Sequence, residues 1–169
     1  MKNTLATLAL CACCSTGLMA QHDHNKPVAS NEMNHIMFQD EKMSNAYGAY
    51  VLLKDAFVAS DNAKAKDAAG ELQKSLTGVA NSSKASEIAA SINKSSSLEE
   101  QRKSFSSLSD EMAKLVKAGK LSMGSIYLEY CPMANNNAGA FWLSNEKEIK
   151  NPYFGDMMLK CGSVKETIH

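Results

Sequence analysis

Between residues 40 and 119 the apolar side chains recur with the period of an α-helix, and only short polar breaks interrupt them. Nothing else in the chain constrains its fold as strongly. The first predicted helix runs from about Asp40 to Ala59, capped by Asp40, with Tyr47, Tyr50, Val51, Phe57 and Val58 on one stripe. Ser60-Asp61-Asn62 breaks it, and Asp61 caps a second helix with Ala65, Ala68, Ala69, Leu72, Leu76 and Val79 on its inner face. So short a connection implies an antiparallel hairpin of helices. Ala85 to Asn93 is a short third helix facing inward through Ile88, Ala89 and Ile92. Ser97 and Glu100 have the spacing of a capping box. They open a fourth helix that runs to about Ala118 with Phe105, Leu108, Met112, Leu115 and Val116 inward. Gly119 is placed to end it in the left-handed conformation. Met112 reads as a packing residue, and Lys54, Asp55 and the other helix charges read as solvated faces.

From Ser125 the period changes. Ile126, Leu128 and Tyr130 alternate with Tyr127, Glu129 and Cys131, the pattern of a half-buried strand that Pro132 ends. Ala140 to Leu143 suits a second short strand, and Asn145 to Lys150 a charged turn. Asp156 is placed to cap a short helix through Cys161 with Gly162 as its stop, and Val164 to Ile168 is a third strand or a fraying tail. The expected fold is mainly α: a three- to four-helix bundle with a small, irregular α+β C-terminal cap holding two or three short strands, in one domain spanning 40–169 with the cap at 125–169.

The N-terminus reads as a secretory leader. Lys2 gives a positive start, Leu5 to Cys14 is a short apolar run, and Leu18-Met19-Ala20 is a cleavage site, so residues 1–20 form the signal peptide and the protein is periplasmic or secreted. A lipid anchor on Cys13 is the rival processing route, from Leu10-Cys11-Ala12-Cys13. Residues 21–39 are a polar arm carrying His22, His24, Met33, His35 and Met37. Lys and Arg balance Asp and Glu at 18 each, so no basic stripe points to nucleic acid.

The chemistry gathers between Tyr130 and Gly162. Beyond the leader the only cysteines are Cys131 and Cys161. In the predicted helix Met157 and Met158 are four and three residues from Cys161, on its face, and Met133 follows Cys131 across a proline. Two thiolates and one or two thioethers without a carboxylate suit Cu(I) or Ag(I), whereas zinc sites use Cys, His and carboxylate. Trp142 is placed to cover a bound cation. Met157 is a further donor, as are Met33, His35 and Met37 on the arm. The competing reading is a Cys131–Cys161 disulfide, which would close a loop of about 30 residues and add roughly 3–4 kcal/mol. Spacing alone favours the disulfide. A cysteine nucleophile needs a base, and only His35 and His169 offer one outside the leading part of the arm. The chain therefore reads as a non-enzymatic protein.

Several segments together resemble one family: Tyr130-Cys131-Pro132-Met133-Ala134, Gly139-Ala140 with Trp142-Leu143-Ser144, Glu148 to Gly155, Met158-Leu159 with Cys161-Gly162, and Leu53-Lys54-Asp55-Ala56 with Ala59-Ser60-Asp61. The family is a secreted domain of unknown function (DUF3347-like), which occurs alone behind a signal peptide and fused to periplasmic adaptor subunits of copper/silver efflux pumps. The resemblance spans about Tyr47 to Ile168. It implies copper or silver handling, with Cys131, Met133, Met158 and Cys161 as the sulfur ligands, and a heavy-metal efflux adaptor or another periplasmic protein as partner. It tips the balance from a purely structural disulfide towards metal. The alternative is a structural or protein-interaction module stapled by Cys131–Cys161, presenting Phe141, Trp142, Tyr153 and Phe154 to a partner.

Overall fold

The computed structural model describes residues 35–169. The leader, the Cys13 alternative and the arm residues His22, His24 and Met33 lie outside them.

Four helices follow one another as the apolar period requires: α1 (Glu41–Val58), α2 (Asn62–Ser75), α3 (Ser83–Lys94) and α4 (Leu98–Ala118). Each packs beside its predecessor. The caps are those read from the sequence. Asp40, Asp61 and Ser97 accept from the backbone N–H groups of Lys42, Lys64 and Glu100, each satisfying a donor with no partner inside the helix. Tyr47, Tyr50, Phe57, Leu72, Ile92, Phe105, Leu108 and Met112 are buried between the helices.

Five strands complete the fold: β1 (Met37–Phe38), β2 (Leu121–Met123), β3 (Ile126–Cys131), β4 (Ala140–Ser144) and β5 (Ser163–Ile168). β3 is the middle of a three-stranded antiparallel sheet, with β4 on one side and β5 on the other. β4 lies against α4. β1 and β2 form a separate antiparallel ribbon. A chain of rings joins bundle to sheet: Tyr50 stacks on Phe105 at 5.4 Å, Phe105 meets Tyr153 at 5.8 Å, and Tyr153 meets Trp142 at 6.0 Å. The mainly-α bundle with a small β cap is thus the architecture of the molecule. No helix of the described residues is long and apolar enough to cross a membrane.

Five local expectations are corrected. Gly119 is extended, at φ −72° and ψ 158°, not left-handed. It is a glycine because the Phe38 ring leaves a Cβ only 3.0 Å. The end of the arm is not loose, because Met37–Phe38 pairs with β2 and Phe38 is buried. Lys54 is not on a solvated face: it is buried and ion-paired to Asp55 at 2.6 Å. β3 is covered on both faces rather than half-buried, since Glu129 and Cys131 are as enclosed as Ile126 and Leu128. No helix runs to Cys161. The segment is a 3-10 turn at Gly155–Met158 followed by a hydrogen-bonded turn.

Candidate functional site

Cys131 ends β3, and Cys161 lies in the loop that leads into β5. The antiparallel pairing of Tyr130 with Ser163 brings that loop back beside the end of β3, and the two sulfurs come to rest 2.9 Å apart. Both are free thiols. Cys131 is buried and Cys161 half-exposed, so the pair has one enclosed sulfur and one that solvent reaches. The Cys131 sulfur, hydrogen-bonded to Cys161, raises the Cys161 pKa above that of an ordinary thiol, and desolvation adds to the shift. At neutral pH Cys161 is therefore a thiol, and loading a metal on it releases a proton.

The loop is held by a residue that the sequence reading passed over. Asn151 is fully buried. Its Nδ2 donates to the Cys161 carbonyl at 2.6 Å, and its Oδ1 accepts from the Tyr153 N–H at 2.8 Å. Its own N–H donates to the Leu159 carbonyl at 2.8 Å. One side chain thus fixes both ends of the turn that carries Cys161. The signal was available in Asn151-Pro152, a turn dipeptide whose Asn side chain bonds the backbone two residues on. Arg102 clamps the same segment from α4. Its Nε donates to the Pro152 carbonyl at 2.8 Å, and its Nη2 donates to the Phe57 carbonyl at 2.7 Å. Gly162 takes φ +148°, and a Cβ there would stand 2.8 Å from the Trp142 ring. Trp142 therefore lies directly against the residue after Cys161.

The methionines gather elsewhere. Met133, Met157 and Met158 line one groove of ≈ 630 Å³, together with Asn135, Asn136 and Asn137 and the first turns of α4. Neither cysteine lines it. Met133 and Met157 are exposed and Met158 is partly so. The three asparagines form a left-handed turn, with φ of 51°, 57° and 65°. Side chains with a Cβ pay roughly 1–2 kcal/mol per residue in that conformation, and asparagine tolerates it best. Such strain concentrates at ligand-contacting segments. Phe141 and Phe154 are half-buried while Trp142 and Tyr153 are core residues, so the four do not form an exposed aromatic surface. His35 and Met37 are exposed at the far end of the chain.

A second feature of the cap is Glu129, the register partner of Trp142. It is fully buried; the Trp142 indole N–H faces its carboxylate but is too poorly aligned to make a regular hydrogen bond. Burial pushes the Glu129 pKa up to about 8, against the pull of Lys54 and of the Trp142 indole. The group is mostly a neutral acid at pH 7. Among the described residues no three His, Cys, Asp or Glu side chains gather as a metal-holding group.

The family described as Protein of unknown function (DUF3347) matches residues 46–124. That segment belongs to the DUF3347 family. No curated protein and no solved structure matches the chain. The DUF3347 match runs from within α1 through β2 and stops before β3. It covers the helical bundle, so the segment from Cys131 to Cys161 lies beyond it, and the wider span of resemblance read from the sequence is not matched. A family of unknown function assigns no activity to the segment that it covers.

Proposed function

We propose that the protein binds a soft monovalent ion, Cu(I) or Ag(I), in the periplasm, and buffers it or passes it by ligand exchange to an efflux component. The observation that carries this reading is the approach of two free thiol sulfurs to 2.9 Å, one enclosed and one reachable from solvent. Sulfur donors without carboxylates select such ions. Two chain neighbours extend the donor set: Met133 stands two residues after Cys131, and Met158 three before Cys161. They line a groove that neither cysteine enters, which suits them to take up an ion separately from the thiols. Among the described residues five large apolar side chains are exposed, and four are methionines: Met37, Met123, Met133 and Met157. Exposed thioethers do little for packing and much for soft-ion capture.

The same distance favours a second reading, in which Cys131 and Cys161 close a disulfide that staples the cap. An ion held between the two sulfurs needs them farther apart than 2.9 Å and a disulfide bond needs them at about 2.05 Å, so metal binding asks the pair to open while oxidation asks it to close. Native mass spectrometry of the mature protein, oxidised and then reduced under anaerobic Cu(I), separates the two. The metal reading expects the reduced form to carry one copper more than the oxidised form, and expects Cys161→Ser to lose that copper. Equal copper in both states, with the mass two hydrogens lower as purified, overturns it in favour of the staple.

A further inference from the structure

The β1–β2 ribbon is short, two residues against three. Ribbons of this size have little stability of their own. This one is tied down on every side. The Phe38 N–H donates to Ser44 Oγ at 2.9 Å, the Gln39 N–H donates to the Lys120 carbonyl at 2.8 Å, and Ser122 Oγ donates to the Met37 carbonyl at 3.3 Å. Phe38 anchors it in the core, edge-on to Tyr47 at 5.9 Å.

Phe38 faces in, so its neighbour Met37 faces out. Met37 is the register partner of Met123, with a register shift between Met37 and Phe38. The two are 41% and 55% exposed. Methionine is neither β-branched nor aromatic, so strand propensity gives no reason for it at either position. Opposed residues on antiparallel strands have Cβ atoms about 4.5–5.5 Å apart. Two flexible thioethers at that spacing reach one ion. His35, exposed, stands two residues before Met37, the spacing that keeps side chains on one face of an extended chain.

We infer that Met37, Met123 and His35 form a second soft-cation site, which takes Cu(I) or Ag(I) through two thioethers and one imidazole. It goes beyond the thiol pair and does not depend on it. β3 separates the two places: the ribbon precedes Ile126, Cys131 closes the strand, and six residues of strand span roughly 17 Å. One ion cannot bridge that length, so the sites load independently. The donor set without a thiol also sets their order. Thioether and imidazole ligands exchange an ion readily, and the thiolate pair retains it once its protons have left.

The test is a titration of the protein, labelled with ¹³C at the methionine methyl groups, with silver nitrate. It is followed by NMR in the wild type and in the Cys131→Ser/Cys161→Ser double variant. Single Met→Leu variants assign the methyl signals. The ribbon site expects the Met37 and Met123 methyls to move together in both proteins, saturating at one equivalent in the double variant and only after the thiol pair has taken its own equivalent in the wild type. Met123→Leu, a change at an exposed position that leaves the core untouched, should cut the Met37 response at least tenfold. A Met37 signal that stays still while silver binds elsewhere overturns the inference, and so does one that moves equally in Met123→Leu. Failure of the thiol reading is read separately. It leaves the Met37 and Met123 shifts intact, and the native mass of the reduced wild type then carries no more silver than that of the double variant.

Discussion

The helical bundle and the C-terminal cap follow different rules. In the bundle each helix is capped by a local side chain or closed by a local turn, and its inner stripe is mostly apolar, with Lys54, ion-paired to Asp55, and Gln101, which lacks a hydrogen-bond partner, among its enclosed polar exceptions. The cap buries a carboxylic acid without a regular hydrogen bond, a fully enclosed asparagine and a thiol, and it carries three successive left-handed asparagines. Locally consistent sequence marks the part of a protein that only has to fold, and local conflict marks the part with another task. The DUF3347 match falls on the first part and stops before the second. The scaffold is thus the portion that the family match covers.

Phe57→Ala should break the contrast from the bundle side. Phe57 is fully buried against Phe105 at 4.8 Å, and its loss should cost about 3–5 kcal/mol in chemical denaturation. Cap and bundle should fail together, because the Tyr50, Phe105, Tyr153 and Trp142 rings link them. Separate transitions by tryptophan fluorescence and by helical circular dichroism would show two independent units instead.

Asn151→Ala acts on the cap. It leaves the Cys161 carbonyl and the Tyr153 N–H without their partners, at about 2–3 kcal/mol together. The more specific outcome is kinetic: Cys161 should be alkylated several times faster while Cys131 stays protected. Unchanged alkylation would mean that the loop is held by Arg102 alone.

Glu129→Gln has the smallest effect and the clearest sign. The Glu129 acid has a pKa raised from 4.5 to about 8, so the folded protein holds a proton that the unfolded chain releases across that window. Stability is therefore fullest below pH 4.5 as far as this group is concerned, and it falls as pH rises towards 8. The loss is on the order of 2 kcal/mol. The pull of Lys54 from α1 and the repulsion of Glu146 on the turn after β4 are both contained in that shift. The glutamine variant should show a flatter profile of melting temperature against pH from 5 to 8 and should exceed the wild type at pH 8. A profile that rises with pH would mean that Glu129 is ionised and paired.

The four helices, their breaks and three of their caps were legible because each is encoded within a few residues. A 3.6-residue period and a side chain reaching its own backbone need no knowledge of the rest of the chain. β3 and β4 were visible for the same reason. β1 and β2 were not, because a strand of two or three residues has no measurable period and exists only through its partner. Lys54 and Glu129 were misread as surface because charge is a prior and burial is an outcome of packing. The loop to Cys161 was misread as helix because Asn151, ten residues away, holds it as a turn.

The sequence by itself determined the bundle, the order of its helices and the presence of two lone thiols and a surplus of methionines. Only the tertiary structure decided which sulfurs meet. It put Cys131 against Cys161, grouped Met133, Met157 and Met158 along a separate groove, and set Met37 opposite Met123. Antiparallel pairing made each of these choices, and strand register is a contact between distant residues that no local pattern contains.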